Sequence, residues 1–366
     1  PAAAAAADGK EQGAAAPEAT RGIAQPPSPQ MEWQPSKLHT EVINFAQRVT
    51  LEAAAGHEEA MGIIEALRAM VQRKWSRATV EMFGSRSTGL YLPSSDVDVT
   101  VMGTKCEPKD VSAALTYLHD ELEKEPWVQR LQLILSARIP VIKLVSQGGI
   151  PVDVSIASSP QHTGLLAREQ IRSYLARAPQ LRPLVLVFKS LLRQLGLNDP
   201  YTGGMSSYCL VVLLFHFWHD CNVFYADKCD TSDCGHLMWN FLVSFAEKFE
   251  KEHAFVVDPT HLPSVDAKGV SVEPENIMQS CYQIARVCAA FRLAHSMLAP
   301  GPSTWPGWAE SAEPPLLERV FAQFGAPPEC PSQASQTDGA LSGGRRDASS
   351  GPAPPAPVEH ASCGSD

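Results

Sequence analysis

Three aspartates carry the chemistry that this sequence can perform. Asp96 and Asp98 stand in Asp96-Val97-Asp98-Val99-Thr100-Val101, an alternation of polar and β-branched residues that predicts a strand. Side chains alternate across a strand, so the two carboxylates share one face while Val97, Val99 and Val101 share the other and can pack into a core. Carboxylates one pleat repeat apart, nearly ~7 Å along the strand, repel each other unless a cation lies between them. Hard oxygen ligands suit Mg²⁺ or Mn²⁺. Asp153, in Pro151-Val152-Asp153-Val154-Ser155 on a strand of its own, is the candidate third ligand. Three carboxylates can hold two ions about 4 Å apart, as phosphoryl transfer requires.

A lone D-x-D pair is weak evidence. It recurs by chance and also serves glycosyl transfer from nucleotide sugars with Mn²⁺. Its setting strengthens it. Gly84-Ser85 lies just upstream, directly after an expected strand from Ala78 to Phe83. Glycine lets the backbone approach a phosphate closely, and Ser85 adds a hydroxyl donor at an expected helix start. A nucleotide held there would lay its phosphates over Asp96 and Asp98. Farther on, Lys189 and Arg193 are four residues apart on an expected helix, so they share a face and can reach a triphosphate. The alternative is a solvated basic face, against which Leu184 to Phe188 and Leu191-Leu192 make the helix largely buried.

The string from Phe83 to Gly103, FGSRSTGLYLPSSDVDVTVMG, with the later lone Asp153, resembles the DNA polymerase β-like nucleotidyltransferases. In detail it resembles the noncanonical poly(A) polymerases of the nuclear RNA-surveillance type, the catalytic subunits of TRAMP-like complexes. The likeness runs from about Leu38 to Leu298 and includes IPVIKL (Ile139 to Leu144), PLVLVFKSLLRQLGLND (Pro183 to Asp199) and YTGGMSSYCL (Tyr201 to Leu210). The resemblance implies a two-metal reaction in which an RNA 3′ hydroxyl attacks the α-phosphate of an NTP, with Asp96, Asp98 and Asp153 as metal ligands. It assigns Gly84, Ser85, Lys189, Arg193 and Ser207 to the triphosphate and Tyr208 to stacking on the base. Arg193 stands where Lys is common, which keeps the charge but changes the geometry. Ala157 stands where relatives have Asn near the ribose, which shifts sugar recognition towards other groups such as Thr163. The base-reading loop is cut to Glu273 to Ser280, leaving Asn276 as the reader. Glu275 replaces a His found in uridylyl-adding relatives, which favours ATP. A nuclear location, a helicase partner and a zinc-knuckle RNA-binding partner are likewise implied by the resemblance alone. Within it, a uridylyl-transferring or mixed tailing enzyme is the nearest alternative, and a non-catalytic scaffold a more distant one.

The elements that must position these residues follow from periodicity. Helices are expected over Leu38 to Glu52, Glu58 to Lys74 and Val111 to Glu125. Strands are expected over Ala78 to Phe83, Asp96 to Met102, Leu131 to Leu135, Val141 to Val145 and Val152 to Ile156. Beyond these come helices only: Leu165 to Ala176, Pro183 to Leu195, Ser206 to His219, Leu237 to Glu250 and Ser280 to Leu298. Strands mixed with helices, then helices alone, indicate an α+β palm followed by an all-helical lobe. The expected boundaries are a disordered segment over 1–35 and an N-terminal helix over 36–58 packing on the helical lobe. The palm spans 59–164 and the helical lobe 165–300. A mostly disordered, Pro-, Ser- and Gly-rich tail over 301–366 has room for one short helix from Pro315 to Phe324.

The net charge is −10, which argues against nucleic-acid binding through a globally basic surface. The balance is uneven, though: between Arg130 and Arg193 the acids are Asp153 and Glu169 alone, so a local basic track can still hold phosphates. The longest apolar run, near Tyr208 to Trp218, is far short of the roughly 18 residues a membrane span needs, and no membrane partner is expected. The nine cysteines show no framework spacing and read as free thiols in a reducing compartment. His219, Cys221, Cys229, Cys234 and His236 can in principle supply a tetrahedral Zn²⁺ site, but their spacing matches no standard finger. The sequence opens on Pro1 rather than Met and reads as a fragment from which an upstream targeting signal would be missing.

Overall fold

The computed structural model describes residues 36–137, 139–157, 162–224, 230–252, 277–298 and 315–324. Its elements run α1 (Lys37–Ala54), α2 (His57–Lys74), β1 (Thr79–Phe83), α3 (Gly84–Thr88), β2 (Val97–Met102), α4 (Val111–Leu122), β3 (Val128–Ile134), β4 (Val141–Ser146) and β5 (Pro151–Ile156). There follow α5 (Thr163–Arg177), α6 (Leu181–Gln194), α7 (Ser207–Phe224), α8 (Cys234–Glu252), α9 (Ile284–Leu298) and α10 (Leu316–Gln323). The α+β architecture expected from the sequence is the one observed. Among the described residues no helix is long and apolar enough to cross a membrane.

The five strands form one mixed sheet in the order β1-β2-β5-β4-β3. β2 and β5 are parallel and central; the other pairings are antiparallel. Val97, Val99 and Val101 are fully buried, as their alternation requires, and join Val152, Val154, Ile142 and Leu144 in a core closed by α2 and α4. β3 begins earlier than periodicity indicates, because Val128 pairs with Ser146 across an irregularity next to Arg130. This pairing is a tertiary contact that leaves no period-2 trace.

A second core gathers the helices. Phe188, Leu191, Leu210, Phe215, Leu242 and Phe291 sit at its centre, with Leu316, Leu317 and Val320 of α10 against it. Leu38 and Val42 of α1 belong to this core, so the first helix packs among the last ones. One buried carboxylate ties that arrangement. Asp233 accepts from Ser36 N (2.7 Å), Ser36 Oγ (2.8 Å) and His236 N (2.9 Å), capping α8 and holding the start of α1 together.

Candidate active site

The sheet register assembles the acidic cluster. Asp98 lies directly across from Asp153 on the parallel β2–β5 pair, and Asp153 lies across from Lys143 on the β5–β4 pair. Asp96 sits one residue before β2 begins, on the chain that leaves Ser94-Ser95. Each of the three aspartates offers an oxygen within 4.8 Å of the others, and among the described residues no other group of this kind forms. Burial, then the charges of Asp96 and Asp153, push the Asp98 carboxyl up to about 7. Burial also raises Asp153, against a hydrogen bond from Lys143. Partly buried carboxylates whose neighbours push Asp98 and Asp153 up are an oxygen donor set with a surplus of negative charge. They therefore fit a divalent cation, and this set is closer together than the strand repeat alone suggested.

Gly84 explains itself here. Its φ is +66°, and a Cβ would overlap the Asp98 carboxylate. The glycine needed for approach to a phosphate is thus needed first for approach to Asp98. Ser85 follows in the opening turn of α3, as the sequence indicated.

Lys189 and Arg193, the α6 cations expected at the triphosphate, part company. Lys189 is 8% exposed; its ammonium donates to Leu90 O at 2.7 Å. Burial pulls it down to about 8, while Asp96 and Asp98 act to keep it charged. The Arg193 side chain, one turn on, makes no hydrogen bond or ion pair among the described residues. It faces a cavity of about 330 Å³ with Phe45, Leu92, Ser94 and Phe321. Ser207 opens α7, half-buried. Tyr208 packs half-buried against the helical core. Its hydroxyl donates to Gln170 Oε1 (2.6 Å), and Gln170 Nε2 donates to Tyr174 Oη (2.7 Å), which orients the ring. Thr163 opens α5, exposed, and Ala157 extends the β5 pairing through its N–H to Val101 O (2.9 Å). Asn276, Glu275 and the rest of the base-reading segment up to residue 276 lie outside the described residues, as does Cys229; its last four residues, Ile277 to Ser280, form a turn before α9. Of the remaining zinc candidates, Cys234 Sγ contacts Gln180 O at 3.6 Å, and Cys221 is buried on α7.

Sequence reasoning missed a ring of cations around α3. Arg168 donates to Met82 O (2.7 Å), Arg172 to Ser87 O (2.9 Å), and Arg182 to both Thr88 O (3.0 Å) and Gly89 O (2.9 Å). The basic track read from the sequence as a phosphate surface is in large part a brace for the protein's own carbonyls. It also missed Lys143, whose ammonium lies 2.6 Å from Asp153 Oδ2; only the β4–β5 register reveals that pairing.

A mixed sheet with a Gly-Ser turn helix after its edge strand and three converging aspartates defines a nucleotidyltransferase palm. Residues 38–175 match the family model described as poly(A) RNA polymerase, mitochondrial-like, central palm domain. Poly(A) RNA polymerase protein 2 of Saccharomyces cerevisiae is 33% identical over 188 residues, 51% of this chain and 32% of that protein. The chain thus spans about a third of the length of that relative. The polymerase core of TRAMP, an RNA surveillance complex, matches with a TM-score of 0.61 at 24% identity, covering 78% of this chain and 93% of that one. The Cid1 poly(U) polymerase with Mg and 3′-dATP matches with a TM-score of 0.58 at 20% identity, over 77% of this chain and 99% of that one. At these identities the two structures speak to the fold. Together the matches show a palm similar in fold to these polymerases, and a sequence likeness to poly(A) RNA polymerases over about half of the chain.

Proposed function

We propose that the protein is a template-independent ribonucleotidyltransferase that adds adenylates from ATP to RNA 3′ ends. The observation that carries this reading is the convergence of Asp96, Asp98 and Asp153 beside Gly84. The three carboxylates would hold Mg²⁺ or Mn²⁺, which when bound lowers the pKa of the attacking hydroxyl and neutralises charge on the leaving group. In the reaction the RNA 3′ oxygen bonds to the α-phosphorus, the bond from that phosphorus to the β-phosphate bridge breaks, and pyrophosphate departs. Gly84 and Ser85 would take phosphate oxygens, joined by Arg193 and Ser207. Lys189 would offset charge in the carboxylate cluster and hold the loop at Leu90 in place, reaching the triphosphate from the same position. The Tyr208 ring would stack on the base, Thr163 would meet the ribose and Asn276 the base edge. The palm would comprise residues 59–164 and the helical lobe residues 165–300, with α1 returning to the latter. Work as the catalytic subunit of an RNA-surveillance assembly in the nucleus, with a helicase and a zinc-knuckle RNA-binding subunit, is the cellular extension of the same reading.

The test is purified protein with Mg²⁺, a labelled oligo(A) primer and each of the four NTPs separately. Extension with ATP is expected, and Asp153→Ala should lower kcat at least roughly a hundredfold with the fold intact. A protein that extends no RNA, or an Asp153→Ala variant within tenfold of wild type, overturns the proposal. The likeness to a poly(U) polymerase supports uridylyl transfer as the second reading. Stacking does not discriminate between bases, and one or two side-chain hydrogen bonds to the base select by about 1–3 kcal/mol. The ATP preference should therefore be modest and should fall in Asn276→Ala. A higher kcat/KM for UTP would favour the second reading.

A further inference from the structure

The three aspartates are not held alike. Asp98 and Asp153 sit inside the sheet, paired with each other across β2 and β5, and Phe83 faces Asp98 from β1. Asp96 precedes β2 and has no partner in the described strand pairings, so the loop before it must set where its carboxylate stands. One side chain ties that loop to α3. The Arg86 guanidinium donates to Ser95 O through Nε (3.3 Å) and Nη2 (3.1 Å), while its carbon lies 4.9 Å from the centre of the Tyr91 ring. Ser95 is itself pinned: its N–H donates to Leu92 O and its hydroxyl accepts from Leu92 N, both at 2.9 Å. The Ser95 carbonyl belongs to the peptide unit that carries the Asp96 nitrogen, so the fork grips the backbone of the metal-ligand candidate. A packing role does not need this charge. An apolar side chain would cover Tyr91 as well, and would not bring the buried Nη1, which has no partner among the described residues. A buried donor left open costs free energy and calls for a reason. What the guanidinium alone adds is the hold on Ser95.

We propose that Arg86 is a positioning residue for metal capture: from α3 it fixes the Ser95–Asp96 peptide and so keeps the Asp96 carboxylate in reach of a cation shared with Asp98 and Asp153. The inference rests on the proposed function, in which these carboxylates hold Mg²⁺ or Mn²⁺. Arg86 stands between two parts of the site. Its backbone belongs to the helix that Gly84 and Ser85 open, with its carbonyl accepting from Gly89 N (3.3 Å) and the Ser85 carbonyl from Leu90 N (3.0 Å). Its guanidinium belongs to the loop that leads into Asp96. A ligand free to swing loses conformational freedom when a cation binds, and one already held in place does not. Loss of the fork therefore weakens the metal first. Lysine keeps the charge and one donor but lacks the planar fork.

The experiment measures Mn²⁺ binding to the full chain, without RNA or NTP, from the electron paramagnetic resonance signal of free Mn²⁺. Circular dichroism and tailing across a Mg²⁺ titration run alongside. Arg86→Met keeps an apolar stem over Tyr91 and drops the fork. It is expected to weaken Mn²⁺ binding roughly tenfold and to raise the half-maximal Mg²⁺ concentration alike, as loss of a group that orients a metal ligand does. Saturating Mg²⁺ should bring its kcat back to within about threefold of wild type, a recovery that a damaged fold would not show. Arg86→Lys should fall between the two. Arg182→Ala loosens the far end of α3 without touching Ser95 and should leave Mn²⁺ binding within about twofold. A folded Arg86→Met that binds Mn²⁺ within about twofold of wild type overturns the inference. Equal loss in Arg182→Ala overturns it too, because Arg86 is then one more brace of α3. Should Arg86→Met fail to fold, Arg86→Lys decides, and unaltered Mn²⁺ binding there counts against the fork. A wild type that binds no Mn²⁺ also overturns the positioning role. One that binds Mn²⁺ with the expected dependence on Arg86 yet extends no RNA overturns the function and leaves the positioning role standing.

Discussion

Asp98 carries the most informative electrostatics in the molecule. Its carboxyl is pushed up to about 7 by burial and by Asp96 and Asp153. A carboxyl whose pKa rises on folding favours the folded state while it holds its proton. That contribution is full below the unfolded value of about 4 and is lost as pH climbs through about 7. The metal-free protein should therefore melt at a higher temperature near pH 5.5 than near pH 8 on account of this group. Asp98→Asn should remove that slope and stabilise the metal-free protein at pH 8 by on the order of 1–3 kcal/mol. Mg²⁺, which needs ionised carboxylates, should stabilise the wild type more at pH 8 than at pH 5.5. Thermal melts across pH with EDTA or Mg²⁺ check this, and a wild-type curve that tracks Asp98→Asn would refute it. Tyr208 offers a second residue-scale test. Tyr208→Phe keeps the ring but loses the hydroxyl that Gln170 holds, so the ATP KM should rise only a few-fold, for about 1 kcal/mol. Tyr208→Ala should raise KM more than it lowers kcat, because stacking is present in ground and transition states alike. A kcat collapse at constant KM would mean that Tyr208 is structural.

At the scale of elements, α3 is five residues long, too short to stand alone. Its last carbonyls are orphaned by the turn into Gly89, and the arginines of α5 and α6 satisfy them from the end where the helix dipole favours positive charge. The brace holds Gly84-Ser85 over Asp98, so helices from one core fix the turn proposed to take phosphate. Arg182→Ala is expected to lower stability by about 1 kcal/mol, since that side chain is largely exposed, and to raise the ATP KM with a smaller effect on kcat. Urea denaturation and steady-state kinetics measure the two. Unchanged KM would show that α3 holds its place without the clamp. Gly89→Ala should be worse than Arg182→Ala, because φ is +71° there and a Cβ would strike the Arg182 guanidinium.

On the scale of the whole molecule, the first helix belongs with the last ones, and Asp233, 2% exposed, is the joint. Asp233→Ala leaves Ser36 and the α8 amide of His236 without their acceptor, at an expected cost of about 2–4 kcal/mol. Hydrogen exchange should then rise along α1 and the start of α8 before it rises in the sheet; uniform loss of protection would count against a local joint. Asp233 lies among the residues that sequence reading weighed as zinc ligands, where its own type, a single acid, attracted no notice. The sequence by itself determined the element types, the α+β order and the acidic cluster. Those rest on short-range signals: the alternation of Val97 to Val101, the glycine after a strand, and helical spacing in α6. Only the tertiary structure decided which cations meet the protein's own carbonyls, because Arg168, Arg182 and Lys189 find theirs 86, 94 and 99 residues away. It alone set Asp98 on one side of Asp153 and Lys143 on the other, since strand register depends on which strands become neighbours. It also left Tyr201 uncovered, because whether an aromatic is buried is settled by what packs around it and not by the residues on either side.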